Sequence, residues 1–165
     1  MRAARLFLVP VLATLSLAAQ DPSLSGTWSQ TRADDVVAAI NSTVADMNFI
    51  KRPMARAKLV RLNPVYKKVI IAISDKEVLV KFDDRDSIPM PPGGKSGPWT
   101  REDGDKFMVA AQLSKGQMIQ TFKNDEGERT NVFTMSADGK ALTMSATIKS
   151  PQLPKPLTYS ISFGR

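Results

Sequence analysis

From Asp105 to Arg165 apolar and polar residues alternate, stretch after stretch, with turn residues at each break. One face carries Phe107, Val109, Ala111 and Leu113, then Met118, Gln120 and Phe122, then Arg129, Asn131, Phe133 and Met135. Leu142, Met144, Ala146 and Ile148 continue it, followed by Leu157, Tyr159, Ile161 and Phe163. A period of two is the mark of a strand with one buried face, so the spacing predicts five antiparallel strands in meander order. The turns fix the register. A loop at Asp138-Gly139, a type I′ signal, sets Met135 opposite Leu142 and Phe133 opposite Met144; one at Lys115-Gly116 sets Leu113 opposite Met118. An even-length loop within Asn124-Asp125-Glu126-Gly127 carries the same face onward, where an odd one would turn Val132 inward and Phe133 outward. The inward face is then apolar apart from Gln120, Arg129 and Asn131.

Before this meander the pattern changes twice. Val37, Ile40, Val44 and Met47 recur at helical spacing after Thr31 to Asp35, where Thr31 and Asp34 have the form of a capping box. This predicts a helical insert over about 34–62, interrupted or restarted at Pro53 and stopped before Asn63-Pro64. Because Ile70, Ala72 and Leu79 leave the outside of the next hairpin partly apolar, the insert is expected to cover that sheet face rather than close the mouth of a barrel. That hairpin pairs Val69, Ile71 and Ile73 with Val78, Val80 and Phe82 around Asp75-Lys76. Asp83 to Gly97, rich in Pro, Gly and Asp, reads as a long loop with an edge strand at either end. It is either a rim over a pocket or a connection between two sheet edges.

Residues 1–19 combine Arg2 and Arg5 with an apolar run from Leu6 to Ala18 and small residues before an acidic stretch, the form of a cleavable export signal. The run is too short to span a bilayer. The mature N-terminus is expected between Ala19 and Asp21, with 20–165 forming a single domain with a real hydrophobic core in the periplasm or outside the cell. A transmembrane barrel is not expected: the strands are short and the chain lacks a terminal aromatic residue.

Leu24-Ser25-Gly26-Thr27-Trp28 opens the exported part as a short strand. Gly26-Thr27-Trp28, followed by a meander and the terminal Arg165, resembles the lipocalin or calycin pattern. It is similar in particular to small exported lipocalin-like bacterial proteins with a Ser-Ala-Asp-Gly-Lys turn near the end. The resemblance implies an antiparallel meander β-barrel of about eight or nine strands, mainly β, in which Trp28 begins the barrel and Arg165 packs over it. The chain departs from the pattern in lacking a disulfide and in carrying the helical insert.

The chain of 165 residues has a net charge of +7 and neither histidine nor cysteine. The usual general base, thiolate nucleophile and soft metal ligands are therefore missing, and no enzyme activity, metal or cofactor is expected. Carboxylates cluster at 83–86, 102–105 and 125–128, but each group sits in a turn, where Asp and Glu recur for conformational reasons, and none has the EF-hand spacing. Lys51, Arg52, Arg56, Lys58, Arg61, Lys67 and Lys68 form a run without an acid. Such a run is first a solvated face; alternatively the 51–68 stretch makes the protein an envelope interaction module for an anionic partner. Nucleic acid is not an expected partner, given few aromatics and no binding motif.

The expected function is non-enzymatic binding of a small hydrophobic or amphipathic ligand. Arg129, Asn131 and Gln120 are placed to hold an anionic head, and Phe107, Phe122, Phe133 and Tyr159 to enclose an apolar body. A second reading of the same residues stays open: Arg129 reaches solvent at the rim, and Gln120 and Asn131 satisfy each other.

Overall fold

A computed structural model of the chain describes residues 24–165; the leader expected over 1–19 lies outside the described residues. Strand β1 (Gly26–Ala33) is followed by helices α1 (Val36–Val44) and α2 (Lys51–Leu62), then β2 (Lys68–Ile73), β3 (Val78–Phe82), β4 (Ile88–Met90) and β5 (Ser96–Thr100). The meander follows as β6 (Lys106–Ser114), β7 (Gln117–Asn124), β8 (Gly127–Met135), β9 (Ala141–Lys149) and β10 (Leu157–Gly164). All ten strands belong to one antiparallel sheet in the order β4-β3-β2-β1-β10-β9-β8-β7-β6-β5. The sheet curls until β4 and β5 touch, so it is a barrel with one seam. Proline explains the seam: Pro89 in β4 and Pro98 in β5 cannot donate to a ladder, which confines such segments to sheet edges. These two short strands raise the count to ten, above the eight or nine expected.

The predicted registers are present. Leu113 faces Met118, Phe133 faces Met144, and Ile71 faces Val80. Asn124 pairs with Gly127 around a two-residue loop, so the inward face continues from β7 into β8. The turn at Asp138-Gly139 keeps its register but not its predicted type. Only Gly139 has positive φ, whereas type I′ needs it at both central residues; the Asp138 carboxylate instead accepts from Ser136 Oγ and Lys140 N. Gly127 is the turn residue that admits no side chain. At φ +153°, a Cβ there would lie 2.2 Å from the Lys149 carbonyl oxygen. Gly127→Ala is expected to cost about 1–3 kcal/mol, read by urea denaturation; an unchanged midpoint would contradict this close approach.

The helical insert differs from expectation in three respects. Asp35, not Thr31 with Asp34, caps α1 by accepting from Ala38 N at 2.9 Å, while Asp34 Oδ2 accepts from Ser160 N and ties the end of β1 to β10. Val36, Ile40 and Val44 face the core and Val37 is exposed. The restart expected at Pro53 is present two residues earlier: α2 begins at Lys51 and Pro53 lies in its first turn, where an intrahelical donor is not required. The insert lies over the barrel mouth, not on the outside of the sheet, since Leu59 and Asn63 are buried and Asn63 bonds to the inward-facing Arg129. No helix among the described residues is long and apolar enough to cross a membrane.

At the opposite side of β1, fully buried Trp28 donates from Nε1 to the Leu24 carbonyl, and the Arg165 guanidinium lies 4.0 Å from its ring centroid. Arg165 also donates to the Ser25 carbonyl at 3.2 Å. Terminal strand and first strand are thereby held together by a cation over an aromatic face.

Candidate functional site

Strand alternation brings Gln120 directly opposite Asn131, and Phe122 opposite Arg129. From there a chain of side-chain hydrogen bonds crosses the barrel. Gln120 Nε2 donates to Met90 Sδ at 3.6 Å, and Asn131 Nδ2 donates to Gln120 Oε1 at 2.9 Å. Arg129 turns inward and donates from Nε to Asn131 Oδ1, from Nη1 to Asn63 Oδ1 and from Nη2 to the Tyr159 hydroxyl, each at 2.9 Å. Asn63 caps α2, its Nδ2 donating to the Leu59 carbonyl at 2.8 Å. One network therefore joins β4, β7, β8, β10 and the end of the lid helix.

Every partner of the Arg129 guanidinium in this network is neutral. Burial works against its charge, but the phenolic oxygens of Tyr159 and Tyr66 outweigh that and raise its pKa above the ordinary arginine value. Burial, partly offset by Arg129, pushes the Tyr159 hydroxyl above its usual range, so it is an uncharged partner at neutral pH. Among the described residues no carboxylate lies within ion-pair distance of Arg129. A partly buried cation held only by dipoles is stabilised further by any anion that reaches it.

Above the network is a cavity of about 440 Å³. Leu59, Leu62, Met47 and Ala55 of the helical insert roof it, Trp99, Phe107 and Phe122 form one wall, and Arg129 and Asn131 lie at its floor. The roof is pinned by exposed ion pairs from α2 to the strand ends, Lys58 to Glu126 at 2.7 Å and Arg61 to Asp103 at 3.6 Å. Hydrogen bonding from Arg101 holds the Asp103 carboxyl down to about 2, and Lys58 likewise lowers Glu126. Exposed pairs of this kind contribute little stability each, and their effect is to choose one position for the lid.

No protein-family model matches the sequence, and no curated protein sequence matches it. Solved structures do. A Schistosoma mansoni fatty acid binding protein in complex with arachidonic acid superposes with a TM-score of 0.56 at 14% identity, over 89% of this chain and 98% of that one. The fold is a calycin-like meander barrel. The REP1-NXSQ fatty acid transporter gives 0.55 at 14% identity, over 86% and 95% of the two chains. A fatty-acid-binding protein from Drosophila melanogaster brain gives 0.54 at 11%, over 85% and 97%.

Within this calycin-like barrel the residues singled out from sequence divide into two groups. Phe107, Phe122, Arg129 and Asn131 line the cavity. Gln120 and Tyr159 stand behind that lining as hydrogen-bond partners, and Phe133 is fully buried in the packed interior, 6.3 Å from Phe82 between ring centroids. The two open readings meet here: Gln120 and Asn131 do satisfy each other, yet Arg129 points inward. Sequence reasoning missed Asn63, Tyr66 and Trp99. Asn63-Pro64 carries only a helix-stop signal, whereas a lone tryptophan directly after the Gly/Pro-rich stretch was a usable hint of an inward contact. Most of the basic run is occupied locally, Arg52 with the Met47 carbonyl, Arg56 with Asn41, Lys58 with Glu126, Arg61 with Asp103 and Lys68 with Asp84.

Proposed function

We propose that the chain is an exported, non-enzymatic binding protein for a small, partly apolar ligand with an anionic head, held in the chamber between the helical lid and Arg129. The observation that carries the reading is a charged guanidinium whose hydrogen-bond partners are all neutral, at the floor of a chamber that has aromatic and aliphatic walls and is also lined by charged side chains of both signs. Its unused N–H groups and charge would take up a carboxylate, an interaction stronger than a neutral hydrogen bond. The fatty-acid-binding proteins that share the fold support the apolar part of the ligand; the sequence over 1–19 supports export to the periplasm or medium.

Isothermal titration of the mature protein with decanoate and with decanol tests this. Decanoate is expected to bind at least about tenfold more tightly, the effect of one hydrogen bond to a charged group. Equal affinities would remove Arg129 from the site.

A second reading is favoured by Phe49 and Ile50 in the α1–α2 connection and Met54 in the first turn of α2, all exposed and close in sequence to Lys51 and Arg52. Apolar side chains rimmed by cations fit an anionic partner surface. Retention on anionic but not neutral vesicles would support this reading, and no retention on either would discard it.

A further inference from the structure

The chamber does not continue down the barrel. Beneath its polar floor, Val80, Val109, Met118, Gln120, Phe133 and Met144 have no solvent-accessible surface, and none of them borders the cavity. A side chain beside a void large enough for water would keep some accessible surface, so this part of the interior is packed solid. A long acyl chain can enter it only by displacing core side chains, which overpacks or cavitates a well-filled core. The ligand body must stay in the upper chamber.

The walls of that chamber are chemically distinctive. Tyr66, Phe82, Trp99, Phe107 and Phe122 all line it, out of two Trp, two Tyr and seven Phe in the whole chain. They form two groups on opposite sides of the β4/β5 seam. Tyr66 and Phe82 stack with centroids 4.2 Å apart; Trp99 lies 6.0 Å from Phe107 and 5.7 Å from Phe122 in tilted and edge-on arrangements. Cations attend both groups, Arg85 at 5.9 Å from the Tyr66 centroid and Arg101 at 5.2 Å from that of Phe107. Aromatic rings gain from meeting another ring face or edge beyond what area burial provides, and a saturated chain has no such geometry to offer. Guanidinium groups stack on flat π systems for the same electrostatic reason.

We infer that the site selects a compact, flat aromatic carboxylate of two or three fused rings over an aliphatic acid, its ring system between the two aromatic groups and its carboxylate on Arg129. The inference rests on the reading that Arg129 receives an anionic head, and adds the shape and class of the body attached to it.

Calorimetric titration of the mature protein with naphthoate, undecanoate and hexadecanoate separates the two ideas. Naphthoate and undecanoate have the same number of carbons and the same head, so area burial does not favour the aromatic acid. Naphthoate is expected to bind about tenfold more tightly than undecanoate, and extension to hexadecanoate to bring no further gain, because the barrel below is filled. Trp99→Leu should remove most of the naphthoate advantage, bringing the ratio of the naphthoate and undecanoate affinities close to one; Phe107→Leu serves if Trp99→Leu fails to fold. Undecanoate binding as tightly as naphthoate, or affinity climbing steadily with chain length, would overturn the aromatic preference and leave the anion site standing. Failure of all three acids to bind would overturn both.

Discussion

Phe133→Asp is expected to leave no folded protein, and Met144→Asp to do the same. The two side chains face each other across β8 and β9, and both have zero exposure. Truncating a buried phenylalanine alone costs about 3–5 kcal/mol. An unpaired carboxylate in the same place adds several more, and the sum matches the 5–15 kcal/mol that typically separates folded from unfolded chains. Their sequence neighbours give the control. Thr134 and Ser145 point outward and are exposed, so Thr134→Asp and Ser145→Asp should shift stability by no more than about 0.5 kcal/mol. Circular dichroism and urea denaturation of the four variants read the result, and exchange of the tolerated and damaging pairs would mean that the barrel is inside out.

Arg129→Met is expected to stay folded and to lose the anionic ligand. Two effects oppose each other in the unliganded protein. Asn63 Oδ1, Asn131 Oδ1 and the Tyr159 hydroxyl each lose a donor, costing about 1–3 kcal/mol together after Tyr159 and Asn63 re-pair. Against that, removal of a partly buried cation that has no ion-pair partner among the described residues recovers part of its desolvation. The net change should be under about 2 kcal/mol, whereas affinity for decanoate should fall about tenfold to a hundredfold, since the interaction lost with the ligand is charge-assisted. Arg129→Lys keeps the charge but cannot serve three acceptors in one plane, and should fall between. Thermal denaturation with and without decanoate checks both parts: the ligand-induced rise seen in the parent should vanish in Arg129→Met. A rise that persists would place the anion elsewhere.

The strand registers of the meander, the inward set from Val109 to Phe163 and the three polar exceptions were all legible in the chain, because a period of two combined with even loops leaves a single consistent choice of face. Loop parity decided Phe133 over Val132, and that needed no tertiary information. The insert was legible only as helix. Val36 and Val37 are both apolar and about 100° apart on a helix, so which one turns inward depends on where the barrel lies, and local spacing carries no record of that. For the same reason the apolar outer positions Ile70, Ala72 and Leu79 pointed to a covered sheet face, while burial of Leu59 and Asn63 at the mouth was the arrangement adopted. Asn63 and Arg129 stand 66 residues apart and meet at 2.9 Å. Their pairing is a product of barrel closure, as are the joining of Trp99 to Phe107 and Phe122 and the filling of the interior beneath them. Alternation determines which way a side chain faces; how far the opposite wall stands, and whether a space remains between, is decided only when the sheet has curled and the lid has settled on it.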